Sequence, residues 1–92
     1  MITAIVLVKA QIDRIPETAQ AIADLEPVAE VYSCAGDIDL VAIVRVAEHE
    51  QLAEVIAGRL SKITGVTSTE THIAFRSYSR HDTEAAFAIG NE

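Results

Sequence analysis

The sequence predicts one α+β domain, a β-α-β-β-α-β plait with two helices on one face of a four-stranded antiparallel sheet. Three observations predict it. The chain has 92 residues, the size of a single domain. Four segments dense in β-branched and aliphatic residues are interleaved with two of helical period. The chain also echoes itself: Leu25-Glu26-Pro27-Val28 and Ile63-Thr64-Gly65-Val66 each run from an aliphatic residue through a breaker to a Val that opens a strand. Two βαβ units with right-handed crossovers give the ferredoxin-like arrangement.

Residues 2–9 form the first expected strand, with Ile2, Ala4, Val6 and Val8 on one face and Thr3, Ile5, Leu7 and Lys9 on the other. The first helix is expected near residues 14–25. Pro16 suits its first turn, Glu17 complements the positive end of the dipole, and Pro27 cannot continue it. Its apolar stripe is Ile15, Ala19, Ile22 and Ala23. Residues 28–35 and 38–47 form strands two and three, joined by Gly36-Asp37 as a two-residue hairpin turn with positive φ at the glycine. The second helix is expected near 48–61, with a stripe of Leu52, Val55, Ile56, Leu60 and Ile63. Gly65 stops it, and a Thr-rich fourth strand covers 66–78. The domain is expected over residues 1–79, with residues 80–92 as a tail whose segment 83–89 could form a short helix.

Strands one and three are apolar on both faces, yet two helices cover only one. A wet sheet face is normally polar. A large bare apolar face marks an interface, and packing sheet against sheet in a two-fold dimer covers it.

Composition narrows the function. Fourteen acids against seven bases give a net charge of −7 and leave no basic stripe, so direct nucleic-acid binding is not expected. The N-terminus lacks the features of a signal peptide, and no apolar run approaches the about 20 residues of a membrane helix. A single cysteine, Cys34, fits a reducing compartment, and a cytoplasmic location is expected. Cys34 is read as a small buried thiol rather than a nucleophile paired with His72. His49, His72 and His81 are scattered, so no metal is expected, and no motif demands an enzyme or a cofactor.

Two features have ligand chemistry. In Gly36-Asp37-Ile38-Asp39, turn amides suit a carboxylate and an Asp suits an ammonium, which together would hold an amino acid. The plain alternative is a tight turn with solubilising carboxylates. In Thr67-Ser68-Thr69-Glu70-Thr71-His72, alternate hydroxyls either line a polar pocket or reflect the strand preference of Thr.

Residues 28–40 resemble a V-x-x-V-y-x-x-x-G-D-y-D-l pattern, and residues 65–73 a G-V-x-x-T-x-T-x-I pattern, with an amphipathic helix between them. Over about residues 1–78 the chain resembles the effector-binding (RAM) domain of the Lrp/AsnC transcription regulators. The resemblance implies a plait that dimerises through its sheets, rings of dimers, and small effectors, often amino acids, at interfaces. It maps the effector loop onto Gly36, Asp37, Ile38 and Asp39 and the T-x-T strand onto Thr69 and Thr71. Tyr32 and Cys34 lie on the strand that leads into the loop. The family's regulators have a helix-turn-helix before this domain, whereas this chain starts at the first plait strand, so DNA binding is not carried over. The expected protein is a homo-oligomeric effector sensor or an accessory to full-length Lrp/AsnC-type regulators. The alternatives are a small plait enzyme of monooxygenase or isomerase type and an assembly module without a ligand.

Overall fold

The computed structural model describes residues 1–80. Its strands are β1 (Ile2–Ala10), β2 (Val28–Ser33), β3 (Leu40–Val46) and β4 (Val66–Ala74), and its helices are α1 (Ile15–Ala23) and α2 (His49–Ile56). The strands form one sheet in the order β2-β3-β1-β4 with every pair antiparallel. This is the predicted plait. The expected helix at residues 83–89 lies outside the described residues. Among the described residues no helix is long and apolar enough to cross a membrane.

The period-2 pattern decides which face is buried. Ala4, Val6 and Val8 of β1 and Leu40, Ala42 and Val44 of β3 are fully buried against the helices, together with Ile22 of α1 and Leu60. Each large aliphatic side chain in this layer contributes about 1.5–3 kcal/mol on burial. The alternate residues Ile5, Leu7, Val41 and Ile43 lie on the other face and are only half-buried. Register groups them, since Ile5 pairs with Ile43 and Leu7 with Val41. The same two rows continue into Glu30 and Tyr32 on β2 and into His72 and Glu70 on β4. An apolar centre between two polar edges therefore faces away from the helices.

Several expectations are corrected. In α1 the fully buried partner of Ile22 is Thr18, and Ala23 is exposed. Thr18 sits against the chain at Gly65, and its hydroxyl donates to the Thr64 carbonyl (3.3 Å), which satisfies a buried polar group. Helix α2 ends at Ile56 rather than near 61. The Gly58 N–H is shared between the Ala53 and Glu54 carbonyls, and Arg59 leaves helical geometry. A 3-10 turn, Leu60–Lys62, then brings Leu60 back into the core. Strand β4 ends at Ala74 rather than 78, where its pairing with β1 ends at Thr3.

Candidate functional site

Strand β2 leads into a loop over residues 34–39, and β3 leads out of it. The expected two-residue turn at Gly36-Asp37 is not formed. The reason is Asp39. Its N–H donates to the Val8 carbonyl (3.0 Å), and its Oδ2 accepts from the Ala10 N–H (2.8 Å), so β1 captures this residue. Its carbonyl also accepts from the Cys34 N–H (2.9 Å), which closes a wider loop with residues 35–38 at its tip. Gly36 has φ of +119°, the left-handed side that glycine alone enters without strain.

A cavity of about 420 Å³ lies between this loop and β4. Asp37 and Ile38 form its loop wall, Leu7 and Lys9 come from β1, and Ser68, Thr69 and Glu70 come from β4. Register explains the grouping, because Leu7 pairs with Glu70 and Lys9 with Ser68 on the face away from the helices. The bulge at Thr67, whose hydroxyl donates to the Lys9 carbonyl (2.9 Å), fixes this end of the two strands. Lys9 makes no ion pair among the described residues. The cavity thus presents a cation, two carboxylates, the Ser68 hydroxyl and an apolar wall. That donor set suits a small molecule with both an acidic and a basic group.

The expected site residues divide. Asp37, Ile38 and Thr69 line the cavity. Gly36 and Asp39 do not, and shape the loop instead: one supplies positive φ, the other the anchor to β1. Thr69 pairs with Val8 and Thr71 with Val6, which places their side chains on the helix side of β4. There the Thr69 and Ser61 hydroxyls lie 3.5 Å apart, while Thr71 is exposed. Tyr32 stands on edge strand β2, half-exposed, with its hydroxyl donating to Glu30. Cys34 is exposed rather than buried, because it lies past the end of the edge strand where no helix covers it. It is no partner for His72, since β2 and β4 are opposite edges of the sheet. His72 instead contacts Glu70 at 2.6 Å.

Sequence reasoning left Leu7 and Lys9 out of every candidate feature, and took Ser68 and Glu70 only as part of the Thr-rich stretch 67–72. The alternation in β1 already set Leu7 and Lys9 on one face, but only the β1–β4 register brings Ser68 and Glu70 beside them.

The fold is a plait with a polar cavity beside one loop, and the comparisons place it in a family. The model of the Lrp/AsnC ligand binding domain family matches residues 3–84, and the chain belongs to that family. It is 36% identical over 72 residues to PH1692, an uncharacterized HTH-type transcriptional regulator of Pyrococcus horikoshii; the match covers 78% of this chain and 48% of the regulator. The chain thus spans about half the length of the curated relatives it matches. Among solved structures it is similar to TTHA0845 from Thermus thermophilus, with 46% identity, 87% of this chain and 100% of that chain covered, and a TM-score of 0.80. The transcriptional regulator NMB0573 of Neisseria meningitidis, solved as a complex with L-Met, shares the fold at 12% identity and a TM-score of 0.77, over 86% of this chain and 53% of that chain.

Proposed function

We propose that this domain is a self-assembling sensor of a small amino acid, acting in the cytoplasm on its own or beside full-length Lrp/AsnC-type regulators. The observation that carries this reading is the cavity beside the 34–39 loop, whose lining combines Lys9, Asp37 and Glu70 with Leu7 and Ile38. Lys9 takes the ligand carboxylate, Asp37 takes its ammonium, and Leu7 and Ile38 meet an aliphatic side chain. The L-Met bound by the Neisseria regulator supports the ligand class. The open apolar sheet face supports assembly, and a second copy placed there covers Ile5, Leu7, Val41 and Ile43. Leu7 belongs both to that face and to the cavity, so a protomer junction closes the site. Tyr32, in the row of Leu7 and Val41 on the open face, meets the ligand only through such a junction, whereas Thr71 lies on the helix side of β4. Binding shifts the assembly as far as its affinity differs between assembled and separate states.

A thermal-shift screen of the amino acids identifies the ligand, and calorimetry then measures it on variants. Asp37→Ala removes one charge-assisted hydrogen bond of about 1.5–3 kcal/mol and weakens binding about ten- to a hundred-fold, with folding unchanged. Asp39→Ala acts differently: it frees the Ala10 N–H, lowers the melting temperature and weakens binding by loosening the loop. If no amino acid raises the melting temperature, or if Asp37→Ala binds as tightly as wild type, the amino-acid reading fails.

A further inference from the structure

The end of the sheet opposite the 34–39 loop holds two adjoining cavities that the effector site does not use. Strands β1, β3 and β4 bring Thr3, Arg45 and Ala74 together there by register. One cavity, of about 270 Å³, is lined by Met1, Thr3 and Arg45 and by Phe75, Arg76 and Ser77 just past β4. No acid lines it. The second, of about 420 Å³, shares Arg45 and adds Arg59 after α2, with Glu26 and Glu54 on its wall. Three of the seven basic residues of a chain with net charge −7 thus line these two cavities. Arg45, Arg59 and Arg76 make no ion pair or side-chain hydrogen bond among the described residues.

Guanidinium groups are normally matched to carboxylates in a protein this acidic. Two of them around one acid-free cavity repel each other, and a bound oxyanion converts that repulsion into attraction from both sides. The planar fork of each guanidinium suits two oxygens of one anion, and the Thr3 hydroxyl adds a neutral donor. We infer that this pole is a second ligand site, in which Arg45 and Arg76 clasp a small oxyanion of the phosphate or dicarboxylate class. Arg59 extends the positive field along the adjoining cleft. The site is separate from the amino-acid cavity and stands whether or not that reading holds.

The test is a titration of the 92-residue chain with inorganic phosphate and, separately, with malonate, followed by amide and arginine side-chain NMR signals. The expected result is a saturable change at Thr3, Arg45 and Arg76 with at least one of the two anions, and the anion that saturates names the class. Arg45→Gln and Arg76→Gln should each weaken that binding about ten- to a hundred-fold, the loss of one charge-assisted contact. Lys62→Gln removes the same charge beside the start of β4, at the opposite end, and should leave the affinity unchanged. Arg45 and Arg76 are exposed, so neither substitution opens the core, and unchanged melting temperatures verify this. Changes that grow without saturating for both anions overturn the inference. So does binding that survives both arginine substitutions, or that falls equally in Lys62→Gln, since that is diffuse charge attraction rather than a site.

Discussion

Gly36 and Gly65 both hold positive φ, at +119° and +102°, yet their surroundings differ. A Cβ added at Gly36 meets nothing within 4 Å, whereas one at Gly65 falls 2.1 Å from Thr18 Oγ1. Gly36→Ala therefore costs backbone strain alone, about 1–3 kcal/mol. Gly65→Ala adds overpacking against a buried side chain, about 1–3 kcal/mol more, and breaks the Thr18–Thr64 hydrogen bond. Urea unfolding of the two variants should show the larger loss at Gly65; equal losses would mean that Thr18 yields freely. The positive φ of Gly36 was legible in the sequence, because glycine in a tight connection tolerates it, although the two-residue turn it was expected in does not form. The width of the loop was not, since it depends on the Asp39 carboxylate reaching Ala10, 29 residues away in the chain. The burial of Thr18 was hidden for the same reason: its partner at Thr64 lies 46 residues on.

Among the elements, the strands were the most legible. Val6, Val8, Leu40 and Val44 fall on one face by simple alternation, and that face is the core. Helix α2 was legible in its stripe but not in its end, because Gly58 interrupts the helix without interrupting the stripe, and Leu60 returns to the core from a 3-10 turn. An eight-residue helix depends heavily on its cap. Here Glu48 and Gln51 form a capping box, and Gln51 Oε1 accepts from the N–H groups of both Ala47 and Glu48 at 2.9 Å. Gln51→Ala should lower stability by about 0.5–2 kcal/mol, while Gln51→Glu, which keeps the acceptor, should lose less. Thermal unfolding of both variants checks this, and no loss in Gln51→Ala would show the box to be dispensable.

At the scale of the molecule, the described residues pack one sheet face and leave the other apolar and only half-buried. The alternation of residues along β1 and β3, apolar at odd and even positions alike, makes this legible from the sequence alone. Ile43 lies at the centre of the open face, so Ile43→Glu should leave the fold intact by circular dichroism and shift the protein to monomer in sedimentation velocity. A wild type that is already monomeric at micromolar concentration would remove the interface. The two ends of the sheet also differ in chemistry: the loop end mixes Lys9 with Asp37 and Glu70, and the far end gathers arginines. The measurement that tests the effector reading most directly is amide chemical-shift mapping of the wild type with a saturating amino acid ligand. The account predicts the largest changes at Lys9, Asp37, Ile38, Ser68 and Thr69. Changes centred on Arg45 and Arg76, or spread without focus over the surface, would contradict it.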